Sequence, residues 1–83
     1  MTIRITLFAM LKEEAGLANF EIDIAEGSTG ADVLREVGKL YPVLSDYLAY
    51  VRLASPEKYL RTRDVIDAIA TPELYIIPPV SGG

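Results

Sequence analysis

The sequence contains no cysteine and no histidine. Without cysteine there is no disulfide framework, no thiolate nucleophile and no sulfur ligand for a metal. Without histidine the commonest general base and the commonest metal ligand are also gone. Basic residues are few, eight lysines and arginines against twelve acids, for a net charge of −4. That balance lacks the electrostatic footprint of a nucleic-acid binder and points to basic protein surfaces as partners. No apolar run approaches the roughly 18 residues of a membrane span, and Met1-Thr2-Ile3-Arg4 places a charge inside the first apolar stretch. The expectation is a soluble cytoplasmic protein that uses no membrane and no nucleic acid. Any chemistry must come from carboxylates, hydroxyls or chain ends.

What remains is an ordinary globular composition, 51% hydrophobic and 24% charged over 83 residues, enough for one domain with one core. Ile3, Ile5, Leu7 and Ala9 alternate with Arg4, Thr6 and Phe8, which predicts a half-buried first strand over 3–9. Lys12-Glu13-Glu14-Ala15-Gly16 reads as a charged connector, and Phe20, Ile22 and Ile24 alternate with Glu21 and Asp23 as an antiparallel second strand. Ser28 or Thr29 can cap a helix starting near Gly30, with Asp32 suited to its positive end. Val33, Leu34, Val37, Leu40 and Tyr41 form its apolar stripe, and Pro42 ends it. A short turn over 43–48 leads to a third strand over 50–54. A proline-containing turn then leads to a brief fourth strand at Tyr59-Leu60, and a last strand covers Leu74–Ile77. Strand, strand, helix and further short strands make an α+β domain with one main helix on one face of a mixed four- to five-stranded sheet, the β-grasp arrangement of ubiquitin-like proteins. The domain is expected over 1–79, with 80–83 a flexible Gly-Gly tail.

The final stretch, Pro78-Pro79-Val80-Ser81-Gly82-Gly83, carries the most information. Two prolines favour an extended, stiff stalk, and the four residues beyond them span about 13 Å when extended. Gly82 and Gly83 leave a narrow tip whose carbonyl is open from either face once activated. A plain frayed end or an expression remnant is the alternative reading of this tail. A free carboxylate is a poor acyl donor, so the design requires an outside enzyme, most simply one that forms an acyl-adenylate from ATP. Outward Phe8, Tyr75 and Ile77 near the base of the tail predict an apolar docking patch. Other charged and capping groups read as structural. Arg61 and Arg63 balance Asp64 and Asp67 on a solvated loop, Glu13-Glu14 and the Asp64, Asp67 pair are solvated charge, and the Gly27–Gly30 segment caps a helix without the lysine of a phosphate loop.

These residues resemble the molybdopterin synthase small subunit family, the MoaD-like proteins, over essentially the whole chain. The Pro78–Gly83 ending carries the resemblance most specifically. Leu7-Phe8-Ala9 with Leu11-Lys12-Glu13, and Glu26-Gly27-Ser28-Thr29 through Leu34, support it in order. The resemblance implies that a ubiquitin-activating-like adenylyltransferase adenylates Gly83 with ATP, that Gly83 becomes a thiocarboxylate, and that the tail enters a large synthase subunit. There it donates sulfur to the pterin dithiolene of molybdenum cofactor, or of a tungsten variant, within a heterotetramer. It implies no resident cofactor, no metal site and no catalysis by this chain alone. Gly82 would then act with Gly83 at the reactive tip, Pro78, Pro79, Val80 and Ser81 would contact the partner, and Leu60 would join Phe8, Tyr75 and Ile77 in the docking patch. Carriers for thiazole synthesis or tRNA thiolation, and modifiers joined to lysines, share the Gly-Gly ending and stay open as alternatives. So does an interaction domain with an incidental tail.

Overall fold

In the computed structural model, which describes residues 1–79, strand β1 (Thr2–Leu7) pairs antiparallel with β2 (Asn19–Asp23), Ile3 lying opposite Ile22 and Ile5 opposite Phe20. Helix α1 (Ala9–Ala15) separates them in sequence, and helix α2 (Gly30–Leu40) follows β2. A short 3-10 turn (Pro42–Leu44) leads to β3 (Arg52–Ala54), β4 (Tyr59–Leu60) and β5 (Glu73–Ile77). The sheet order is β2-β1-β5-β3-β4, with β5 parallel to β1 and every other pairing antiparallel. This mixed five-stranded sheet with a helix across one face is the ubiquitin-like β-grasp fold.

One face of the sheet builds the core. Ile3, Ile5, Leu7, Leu74 and Ile76 are almost wholly buried against Val33 and Val37 of α2, Leu11 of α1 and Leu44 of the 3-10 turn. Burying one such side chain contributes about 1.5–3 kcal/mol, so these nine residues supply much of the driving force. The α2 stripe is narrower than its spacing predicts. Val33, Leu34 and Val37 are buried, Tyr41 packs its ring 4.6 Å from Phe20, and Leu40 is exposed. The helix ends at Leu40, with Tyr41 as its C-terminal cap and Pro42 opening the 3-10 turn.

Helix α1 occupies the segment expected to be a charged connector. Leu11 is its fully buried anchor, Ala15 packs behind it one turn later, and Gly16 closes it at φ +81°, where glycine carries no Cβ penalty. The first strand accordingly ends at Leu7, and the backbone turns into α1 through Ala9 at φ +52°. A left-handed alanine costs on the order of 1–2 kcal/mol, which the burial of Leu11 offsets. Strand β3 begins at Arg52, two residues later than its pattern predicts, because Tyr47 and Tyr50 are taken up in turns, the Tyr50 amide donating to the Tyr47 carbonyl at 2.9 Å. Strand β5 gains Glu73, which lies opposite Arg4.

The N-terminus of α2 is closed by protein alone. Gly30 N–H donates to the Asp64 carbonyl at 3.0 Å and Ala31 N–H to the Thr62 carbonyl at 2.8 Å. Asp32 N–H donates to Thr29 Oγ1 at 3.3 Å and Thr29 N–H to Asp32 Oδ2 at 2.9 Å, so all four otherwise orphaned donors are met, and Val33 N–H makes the first helical bond to the Thr29 carbonyl at 3.0 Å. A Cβ at Gly30 would stand 2.8 Å from Leu53 and 3.0 Å from the Arg61 carbonyl, which explains a glycine at the first helical position. Asp32 completes a capping box by accepting from Thr29 N–H at 2.9 Å.

The Thr29 backbone bond, then the Arg35 guanidinium and the Thr29 hydroxyl, hold the Asp32 carboxyl below its usual value. A depressed native pKa stabilises the fold above the unfolded value of 3.8, and that stabilisation is lost as pH falls through the lower native value. Denaturant unfolding from neutral pH down to about pH 3 is therefore expected to show wild type losing more stability than Asp32→Asn. Parallel curves for the two would contradict the role given to Asp32.

Candidate functional site

Strand β5 carries the chain from the core to the start of the tail. Its outward residues are Glu73, Tyr75 and Ile77, and they lie between the outward residues of β1 and β3. Tyr75 is opposite Thr6 on one side and Ala54 on the other, and Tyr59 of β4 lies opposite Ala54. Arg52 is opposite Ile77, the last strand residue before half-buried Pro78 and exposed Pro79. The sheet face away from α2 therefore holds a row of aromatic and small side chains that ends where the tail begins.

Phe8 completes this row from outside any strand. Its own backbone is extended, the left-handed turn at Ala9 follows directly, and its ring meets Tyr75 edge-on with centroids 5.4 Å apart. Edge-to-face pairs of this kind contribute about 0.5–1.5 kcal/mol beyond their burial. Phe8 remains 41% exposed and Tyr59 65% exposed, while Tyr75 and Ile77 are half-buried. The Arg52 guanidinium lies 5.7 Å from the Tyr59 ring centre, a cation–π arrangement that keeps a positive charge beside the base of the tail.

Leu60 lies elsewhere. It is opposite Leu53, whose side chain is buried in the core, and directly opposed residues share a face, so Leu60 packs inward. Tyr59 holds the outward position expected of Leu60. The reason is the hairpin register, fixed by Ser55, whose Oγ accepts from Glu57 N–H and Lys58 N–H at 3.2 Å each. Tyr59 and Arg52 are the residues that the sequence pattern leaves out of the patch. A two-residue strand has too few positions to show alternation. The Tyr50–Ala54 pattern gives the parity of β3, and through the register that of Tyr59. Val80, Ser81, Gly82 and Gly83 lie outside the described residues.

Glu73 organises the opposite end of the patch. Its carboxylate accepts from Thr6 Oγ1 at 3.2 Å and from the Tyr75 hydroxyl at 3.3 Å. Among the described residues no group of three or more His, Cys, Asp or Glu side chains is placed to hold a metal ion. No helix there is long and apolar enough to cross a membrane. The N–H groups of Ser28, Thr29, Gly30, Ala31 and Asp32 are all bonded within the protein, so the start of α2 offers none of them to a phosphate.

A ubiquitin-like β-grasp domain with an outward aromatic row leading to its last strand defines the class of protein. The family model described as the ThiS family matches residues 5–83, and the chain belongs to that family. It is 36% identical over 81 residues to a molybdopterin synthase sulfur carrier subunit from Dictyostelium discoideum, covering 96% of this chain and 94% of that one. A molybdopterin synthase sulfur carrier subunit from Chlamydomonas reinhardtii is 29% identical, with both chains covered in full. Among solved structures, SAMP1 from Haloferax volcanii is similar with a TM-score of 0.83 at 25% identity, again over all of both chains.

Burial pushes the Tyr75 phenol above its ordinary value of 10.0, and the Glu73 carboxylate adds to this by its charge and by accepting the hydroxyl bond. A raised native pKa gives stability that is present below the unfolded value and lost as pH climbs through the native one. The difference between phenolate absorbance titrations of wild type and Tyr75→Phe is expected to show one tyrosine ionising above the usual range. In Glu73→Gln the same tyrosine should ionise at lower pH. A Tyr75 that titrates as a free phenol in the folded chain would refute this account.

Proposed function

We propose that this chain is a sulfur carrier that works through the carboxylate of Gly83 and serves molybdopterin synthesis. The observation that carries the reading is the near-full-length similarity to curated relatives named as molybdopterin synthase sulfur carrier subunits, at 36% identity for the Dictyostelium protein. The sequence supports it independently, because without cysteine or histidine the chain has no thiol or imidazole to carry or activate sulfur.

The proposed cycle begins when a Gly83 carboxylate oxygen attacks the α-phosphorus of ATP on an adenylyltransferase and pyrophosphate leaves. The resulting acyl-adenylate is attacked at its carbonyl by a hydrosulfide-level sulfur nucleophile. AMP departs with the former carboxylate oxygen, leaving a thiocarboxylate. The tail then enters a large synthase subunit, where the sulfur passes to the pterin precursor and water restores the carboxylate. ATP is thus a substrate of the activating partner, and this chain holds no resident cofactor. Gly82 and Gly83 present no side chain to either attack, and Pro78 and Pro79 stiffen the approach. The patch of Phe8, Tyr75, Ile77, Tyr59 and Arg52 is the docking surface that fixes where the tail starts, with Val80 and Ser81 contacting the partner beyond it.

A second reading, a modifier joined to lysines, is favoured by the similarity to SAMP1, a small archaeal modifier protein. Intact mass separates the two. After incubation with ATP, a sulfide source and the cognate activating enzyme, the carrier reading expects a gain of about 16 Da, sulfur for oxygen, absent from a chain lacking Gly83. No gain alongside an active enzyme, with isopeptides from Gly83 to substrate lysines, would put the modifier first. For the patch, Phe8→Glu is expected to weaken large-subunit binding about tenfold or more while circular dichroism stays native. Unchanged affinity would remove Phe8 from the interface.

A further inference from the structure

A second apolar surface lies at the end of the molecule away from the tail. Strands β1 and β5 run parallel, Arg4 beside Glu73 and Leu7 beside Ile76, so Phe8 and Ile77 share one end while Met1 and Pro72 share the other. At that far end Val65 is 66% exposed and Ile69 is 86% exposed, and both line a hollow of about 420 Å³ with Met1, Gly27 and Ile66.

These side chains are held outward by built structure. Val65 bridges to Thr29, and Ile66 N–H donates to the Ser28 carbonyl at 2.7 Å, which fixes the segment to the start of α2. Asp67 Oδ1 accepts from Ile69 N–H at 3.0 Å and Ala70 N–H at 3.3 Å, and Thr71 N–H donates to the Asp67 carbonyl at 2.7 Å. A hydrogen-bonded turn therefore presents an isoleucine to solvent. An exposed aliphatic pair beside a concave surface is the form of a binding site, whereas single exposed apolar residues are ordinary. The remaining side chains of the hollow are Glu26 and Asp67, and no lysine or arginine lines it.

We infer that the Val65–Ile69 surface docks a protein segment that places a large apolar side chain in the hollow and lysine or arginine against Glu26 and Asp67. Like sign repels and opposite sign steers, so the carboxylate rim selects a basic partner. The Phe8 face carries Arg52 beside its aromatics, so the two surfaces differ in charge and take different partners. Because they lie at opposite ends of β1 and β5, this site stays open when the tail is engaged, and its existence does not depend on the sulfur-carrier reading.

A random peptide display library panned against the full chain tests the inference. Binders dependent on this surface are expected to pair a large apolar residue with lysine or arginine. They should lose about tenfold in affinity on Ile69→Ser and several-fold on Glu26→Lys. They should weaken as salt rises, and bind Phe8→Glu as well as wild type. Ile69 is exposed, so its serine variant should keep a native circular dichroism spectrum. A library yielding no binder sensitive to Ile69→Ser, or yielding sensitive binders with acidic flanks, would overturn the inference.

Discussion

The parallel pairing of β1 with β5 is the constraint on which the rest of the molecule depends. The first and last strands occupy the middle of the sheet, and Ile3, Ile5, Leu7, Leu74 and Ile76 make its buried face. Closing this contact joins residues about 70 apart, and the entropic cost of so long a loop is only slightly greater than that of a shorter one. The consequence is topological. Parallel alignment puts the start of α1 and the exit of β5 at one end, which is why Phe8 can stack on Tyr75 next to Pro78. An antiparallel pairing would send the tail away from Phe8 altogether.

With the central pair fixed, the helices and loops settle by local satisfaction of polar groups. The 61–66 loop supplies the carbonyls that the first N–H groups of α2 lack, and Ser28, just before that helix, supplies the carbonyl that Ile66 requires. This reciprocity ties an irregular segment to a regular one without a long apolar interface. It also explains why so small a chain tolerates a loop of more than ten residues between β4 and β5. The Thr62 and Asp64 carbonyls and the Ile66 N–H are met at the helix end, Ile66 and Ala68 are buried in the core, and Val65 and Ile69 face outward.

Legibility in the sequence followed the strength of local periodicity. Strands β1 and β2 are readable because alternation over five or six positions reflects a sheet with one buried face, β5 as the apolar run Leu74–Ile77 stopped by Pro78-Pro79, and α2 from the Thr29–Asp32 capping box and the Val33, Leu34, Val37 spacing. Helix α1 was hidden because only Leu11 anchors it and Lys12-Glu13-Glu14 dominate its composition. Its one available signal was Leu11 and Ala15 at helical spacing before Gly16. Phe8 was placed on the correct side for an incomplete reason, as a strand residue, whereas the unreadable left-handed Ala9 ends the strand before it. The inward turn of Leu60 depends on hairpin register, a tertiary quantity. The ending at Gly82-Gly83 is legible from the sequence alone and lies outside the described residues, and the acyl-carrier role proposed for it rests on that absence of side chains.

The charge distribution links these elements to how such a protein would be handled by others. A net charge of −4 favours basic partners over long range, yet a cation held over an aromatic ring, Arg52, sits beside the tail base. Long-range attraction and local contact therefore differ in sign at that end. A partner attracted by the overall acidity must still present an acidic or aromatic group to Arg52 and Tyr59 before an aligned complex forms. Steering sets the encounter rate, while complementary contacts set residence and register, so this arrangement selects on the second step. On the proposed reading, in which the reactive end carries no side chain, recognition resides in the sheet at the root of the tail, where Phe8, Tyr75 and Tyr59 stand beside Arg52.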